Sequence, residues 1–528
     1  MKRARAFGRF NKPVRIAMAA MLAAAVLVGC GESGQTDSPD QGVPLADAVD
    51  TMEPQSVWQN FYDLTQVPRP SHHEEKVTLF VADFGRGLGL ETSVDDVGNV
   101  LIRKPATEAM EKRPVVVLQS HLDMVPQQTE ESKTDFETDP IEAFVDEGWV
   151  HADGTTLGAD DGIGVAIIMA ILQADDISHG PLEGLFTVNE EDGMTGIDAV
   201  APDALKGRTY INIDNEVEGS FVISSAGGVE VEATDTFQSV APPAGTTGYV
   251  IRVDGLLGGH SGVDIDKGRA SAHRLMAQLL TEAPAALDIR VADLVGGEIA
   301  NAIPNKATAT VAVPASQADA FEKAVDDFET KVSEEYAKDD PDLAVTAESA
   351  DLPEKVMETK AQEALIGAVY DVPQGVYRMS EEVPGMVETS NNLGVVSIGD
   401  GRFIGVSLVR SAKDPERDAE AKRVADVFQK AGATPEYGDT FSAWPPDPDS
   451  PLLKVMERVY QDKFGKEAEV TAVHAGLEAS SAKSTFPGMD IVSVGPTLEN
   501  VHSPDERLKV DTVPKAYELI VATLAQMG

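Results

Sequence analysis

Between about residue 55 and residue 228, short apolar runs that suit strands alternate with stretches that suit helices. No other feature of the chain restricts its fold as much. "RPVVVLQS" (113–120) is a short buried strand by its valine run, and "GIGVAIIMAILQA" (162–174) is an apolar helix opened by glycines. "LEGLFTVNE" and "GRTYINIDNE" are strands that end in acids. Strand and helix in turn predict an α/β unit whose sheet contains several parallel strands. A change of composition follows. "TGYVIRVDGLLGGHSG" and "KATATVAVPAS" alternate β-branched residues around a helical "GRASAHRLMAQLLTEAP", and "GRFIGVSLVRSA" with "PERDAEAKRVADVFQKAG" continues this α+β character to about residue 440. From "WPPDPDSPLLKVMERVYQDKF" the α/β character returns, with "GMDIVSVGP" as a strand. The simplest architecture is one domain interrupted by another: a first part over 52–228, an inserted unit over 229–440 and a second part over 441–528.

The N-terminus reads as a targeting segment. "MKRARAFGRFNKPVR" carries six Lys or Arg and no acid, and the 13 apolar residues "IAMAAMLAAAVLV" lead to "LVGC". That is a charged region, a short apolar region and a small-residue cleavage site, ending like a lipobox. Residues 1–29 are therefore expected to be a lipoprotein signal and Cys30 the lipidated residue, with 30–51 as a Gly-, Pro- and Asp-rich tether. The protein would then be exported and held on a bacterial envelope membrane through its lipid alone. Cys30 is the single cysteine, so an internal disulfide, thiol catalysis and cysteine metal clusters are excluded. With 43 Lys and Arg against 88 Asp and Glu, the formal charge is −45. Such a polyanion excludes nucleic acid as a partner, because like charges repel.

Five stretches place an acid or histidine just after a strand: "SHLDMV" (120–125), "TTLGADDGIG" (155–164), "VNEEDG" (188–193), "INIDNE" (211–216) and "NVHSPDE" (500–506). Open α/β sheets put their sites on such loops. Imidazole and carboxylate without thiolate suit zinc, manganese or cobalt. His121 and Asp123 stand two apart, so Asp123 can hold one ring nitrogen while the other meets a metal. Asp160 could bridge two cations; alternatively Asp160 or Asp161 caps the helix that follows. In "NEEDG" consecutive residues face opposite sides, so one glutamate can ligate while its neighbour faces substrate and moves a proton. A solvated acidic loop is the competing account of that stretch.

Together these stretches resemble the metal-binding blocks of the di-zinc exopeptidase family that includes carnosinases, aminoacylase and glutamate carboxypeptidase. "SHLDMVPQ", "TTLGADDGIG", "HAGLE" and "VSVGPTLENVHSPDERL" are similar to its bacterial aminoacyl-histidine dipeptidase branch. The resemblance runs from about residue 55 to the C-terminus. It implies a zinc-exopeptidase-like catalytic domain with a mixed, mostly parallel sheet, interrupted by an α+β lid or dimerisation domain. It further implies two Zn2+ per subunit, with Mn2+ or Co2+ as substitutes. His121 and Asp214 would hold one, Glu191 and His502 the other, and Asp160 would bridge them beside a cis Asp160–Asp161 peptide. Asp123 would orient His121, and Glu190 would be general base and acid. His260 in "LLGGHSG" would reach a partner subunit's site and stabilise the oxyanion, which implies a homodimer. Asn301 and Arg410 resemble residues that hold the substrate's C-terminal carboxylate, and Glu478 in "HAGLE" resembles a group for the free amine. Ala479 and Ser480 depart from the Cys-Gly that commonly follows this motif in the branch. The implied function is hydrolysis of Xaa-His or broader dipeptides by a lipid-anchored metallo-dipeptidase. The competing readings are an N-acyl amino acid amidohydrolase of the same family and a non-catalytic peptide-binding lipoprotein.

Overall fold

The computed structural model describes residues 42–527. One sheet of eight strands runs in the spatial order Glu91–Val94, Val100–Lys104, Leu182–Thr187, Val116–His121, Thr209–Asn212, Asp490–Ser493, Ser220–Ser225, Glu469–Val473. It is mixed, as the sequence pattern predicts. Val116–His121 lies parallel to both neighbours, and Asp490–Ser493 is parallel to Thr209–Asn212. The valine run is buried on both faces, which a parallel strand between helical layers requires. One of those layers is the helix Ala159–Gln173, apolar on every side because it packs between this strand and the helix Gln55–Thr65.

Pairing continues past the strand ends. Leu122 N–H donates to Thr187 O (2.7 Å) and Ile213 N–H to Gln119 O (2.9 Å). Three loops therefore leave the same edge of the sheet at a locked depth, and they carry His121, Glu190 with Glu191, and Asp214.

A second sheet is antiparallel throughout and is drawn from residues between Gly227 and Phe441. Its strands alternate buried and exposed positions, as in Gly227–Thr236, so one face carries helices and the other does not. The helices Ala272–Glu282, Ala318–Glu335, Thr359–Asp371 and Asp414–Ala431 share its apolar core. The sequence pattern had signalled the first and last of these. Ala318–Glu335 was missed although Phe321, Val325, Phe328 and Val332 recur at helical spacing and are buried.

The tether expected over 30–51 is corrected at its C-terminal end. Val43–Pro44 pairs with the strand Ala143–Asp146, and Leu45 and Val49 are buried in the core. Leu45, Ala48 and Val49 form an apolar stripe that the Gly, Pro and Asp content around them had masked. Residues 1–29 and Cys30 lie outside the described residues.

Candidate active site

The three parallel-strand loops converge with two others. His121 Nε2 lies 3.2 Å from Asp160 Oδ1 and 3.6 Å from Asp214 Oδ1. His502 Nε2 lies 3.1 Å from Asp160 Oδ2 and 2.9 Å from Glu191 Oε2. Two donor sets, His121–Asp160–Asp214 and Asp160–Glu191–His502, share Asp160, which presents one oxygen to each, and His121, Glu190 and Glu191 make a third group close enough to hold a metal. Asp160 does not act as a helix cap; its own and the following residue leave helical geometry, and the Asp160–Asp161 peptide is cis. Asp161 takes the capping role instead, accepting from Gly164 N–H at 3.2 Å.

Asp123 does more than face the His121 ring, whose Nδ1 is 3.4 Å away. It accepts the backbone N–H of Glu190 (3.0 Å) and of Glu191 (3.2 Å), and the Ser71 hydroxyl (2.8 Å). One carboxylate thus sets the height of both glutamates above the sheet. Asn189 precedes them in left-handed backbone (φ 53) and ties the loop back through Asp192 O and Thr195 Oγ1. His502 is also left-handed (φ 60), an unfavourable conformation for a bulky residue that persists where a site requires it. Asp192 turns outward and meets His72 at 2.7 Å, so it belongs to the loop rather than to the donor sets.

The electrostatics call for cations. Burial would lower the His121 imidazole, but hydrogen bonds to Asp123, Asp160 and Asp214 lift it well above its ordinary value. Hydrogen bonds to Asp160 and Glu191 raise His502 to about 11. Burial, opposed by His121 and helped by the neighbouring acids, pushes Asp214 to about 7. Burial also drives Glu190 well above the carboxylate range, opposed by His121 and reinforced by Asp214, Glu478 and Glu191. Four carboxylates against two imidazoles is a surplus of negative charge in a desolvated place. Glu191 Oε1 is buried with no hydrogen-bond partner. An orphaned oxygen beside two His–carboxylate sets fits divalent metal.

Facing this cluster, a cavity of about 350 Å³ is lined by residues of both sheets' connections, among them Asp214, Glu216, Gly262, Val263, Val387 and His474. His260 and Arg410 stand together in the inserted unit, with Arg410 Nη2 3.5 Å from His260 Nε2 and Arg410 Nε 3.4 Å from Ser261 Oγ. Asn301 joins them, its carbonyl accepting Ser261 N–H at 2.8 Å beside the short pairing of His260 with Ala302. Arg410 is 4% exposed, and among the described residues no carboxylate pairs with it; burial alone lowers it to about 10.

Glu478 is sealed beneath the strand ends at 0% exposure, accepting from Gln119 Nε2 and Thr187 Oγ1 (2.7 Å), with burial raising it to about 8. Its Oε1 is buried without a hydrogen-bond partner, and His121 and Asp214 of the donor sets are among the charges that act on it. His474 is buried against the Ser390 hydroxyl at 2.8 Å and held neutral, its pKa pushed down to about 3 by burial and Arg410.

The sequence profile of Peptidase family M20/M25/M40 matches residues 117–526. The cytosol non-specific dipeptidase of Escherichia coli (strain K12) is 37% identical over 476 residues, 90% of this chain and 98% of that protein. The crystal structure of aminoacylhistidine dipeptidase from Vibrio alginolyticus superposes with a TM-score of 0.85 at 38% identity, covering 91% of this chain and 98% of that one. The aminopeptidase PepT structure from Bacillus cereus shares the fold at 16% identity and a TM-score of 0.52, covering 90% of this chain and 99% of that one. The first relative overturns the expectation of an exported, lipid-anchored enzyme, because the protein matched along nearly its whole length is one of the cytosol. Among the described residues no helix is long and apolar enough to cross a membrane. The wording of the motifs, the mixed catalytic sheet with its inserted α+β unit and the paired His–carboxylate sets all agree with these matches, and the chain belongs to Peptidase family M20/M25/M40, a family of hydrolases.

Proposed function

We propose that the chain hydrolyses dipeptides with two divalent ions, zinc in the first instance, held by His121, Asp160, Asp214, Glu191 and His502, with Glu190 as the proton-transferring residue. The observation that carries this reading is the sharing of Asp160 between two donor sets, with Glu190 close to His121 and Glu191 of those sets. When bound, such ions polarise a peptide carbonyl and lower the pKa of water. Glu190 takes a proton from the attacking water and passes it to the departing amine as the C–N bond breaks. Asp123 keeps that carboxylate in reach through the Glu190 amide.

His260 and Arg410 handle negative charge on the substrate. Gly262 N–H donates to His260 Nδ1 (3.2 Å), which leaves the ring proton on Nε2, the atom that faces the guanidinium. Two donors 3.5 Å apart cannot satisfy each other. They await an acceptor between them, and the C-terminal carboxylate of a dipeptide and the oxyanion of its reacting carbonyl supply two. A guanidinium buried without an acid is pre-organised for such an anion. Arg410→Ala is therefore expected to lower kcat/KM on dipeptides by about 30- to 1,000-fold, roughly 2–4 kcal/mol. The loss should shrink on the same dipeptides carrying a C-terminal amide. Equal losses on acid and amide would remove Arg410 from carboxylate binding.

A further inference from the structure

Glu506 is four residues beyond His502 and is 2% exposed. Its Oε2 accepts the backbone N–H of Leu157 (2.8 Å) and Gly158 (2.9 Å), and its Oε1 those of Ala159 (2.7 Å) and Asp160 (3.2 Å). One side chain thus satisfies four consecutive amides of the segment that ends in Asp160. Arg69, also 2% exposed, grips the same segment from the carbonyl side, donating to Gly158 O. Its other amino group donates to Leu122 O (2.9 Å) and Asp123 O (3.0 Å), which ties the segment to the loop of His121. Gly158 is left-handed (φ 69), and a Cβ there would stand 2.8 Å from the Arg69 guanidinium, so the approach admits only glycine. The loop of Glu506 is itself a closed turn, with Glu506 N–H donating to Ser503 O (3.0 Å) and the Ser503 hydroxyl to Asn500 O (2.7 Å). His502 and the Glu506 carboxylate therefore move as one piece.

We propose that Glu506 is a positioning residue of the metal site: it locks the His502 turn to the backbone of the Asp160 segment, so that the imidazole and the shared carboxylate arrive in register. The inference rests on the reading of Asp160 and His502 as metal ligands and concerns what holds them there. Nothing in the local sequence supplies this coupling, because the two loops are 346 positions apart at Asp160. Outer contacts of this kind change metal affinity by about 10- to 100-fold when removed. Glu506→Gln puts an amide NH2 against two of the four N–H groups and so opens the joint without deleting volume.

A control is at hand in Glu183, a carboxylate equally buried that accepts Lys206 N–H (2.9 Å), Gly207 N–H (3.0 Å) and the Arg103 guanidinium away from the donor sets. Titration of chelator-stripped protein with zinc, alongside thermal unfolding of the metal-free forms, separates a joint of the metal site from a prop of the fold. Wild-type and E183Q proteins are expected to take up two ions alike. E506Q is expected to lose about 10- to 100-fold in affinity for at least one ion, with a metal-free midpoint no lower than that of E183Q. Failure of the wild type to bind two ions would refute the two-ion reading itself. Wild-type binding by E506Q, or an equal loss in E183Q, would overturn the positioning role alone. If E506Q does not fold, E506D, which shortens the reach and keeps the charge, carries the same comparison. Failure of both to fold would assign Glu506 to the fold and likewise overturn the proposal.

Discussion

Glu190→Gln is expected to lower kcat for dipeptide hydrolysis by about two to four orders of magnitude, with KM and the uptake of ions little changed. The amide has the size of the carboxylate and keeps the backbone N–H that Asp123 accepts at 3.0 Å, so the loop is not disturbed. Glu191, the ligand, remains in place beside His502. What disappears is the carboxylate proposed to accept a proton from water beside the donor sets. A fall in kcat and kcat/KM together, without a rise in KM, is the signature of an interaction made in the transition state. Steady-state kinetics of protein loaded with two equivalents of zinc provides the check. A loss smaller than tenfold would mean that another group moves the proton.

Asp160→Ala is expected to abolish measurable turnover and to remove most of the stabilisation that metal confers. Each Asp160 oxygen faces a different imidazole, at 3.2 and 3.1 Å, so its loss strips one oxygen from both sets at once. In the wild type each ion that binds only the folded state adds about 2.7 kcal/mol at a free concentration one hundred times its dissociation constant. The melting temperature should therefore rise with zinc in the wild type and hardly move in the variant. Thermal scans with and without zinc decide it, and a variant that still gains the full shift would show that Asp160 is not shared.

The five chemical stretches were legible because each is a short local pattern placed after an apolar run, and the parallel pairing of Val116–His121 with its neighbours brings three of them to one edge. The α/β and α+β characters were legible for the same reason, since valine runs and β-branched alternation are written in consecutive residues. Glu506 and Arg69 were not legible as parts of the site. Their partners are 346 to 349 and 53 to 89 positions away, and an acid in "SPDE" or an arginine in "PRPS" looks no different from a surface charge. Asp192 pairs with a histidine 120 positions distant, which a reading of "NEEDG" alone cannot supply. Glu478 shows the opposite difficulty: its motif was recognised, but its depth beneath the strand ends is a property of packing. The buried stripe of Leu45, Ala48 and Val49 was hidden by the polar residues around it.

On the proposed function, this chain cuts dipeptides by metal-assisted hydrolysis and holds the free carboxylate of its substrate through Arg410. The most direct measurement compares the release of amino acids from a panel of dipeptides, Xaa-His among them, with release from N-acetyl amino acids, before and after chelator treatment and zinc replacement. The account predicts cleavage of the dipeptides, its loss on chelation, its return with zinc, and little action on the acetylated compounds. Undiminished dipeptide cleavage by chelator-stripped protein, or faster cleavage of N-acetyl amino acids, would contradict it.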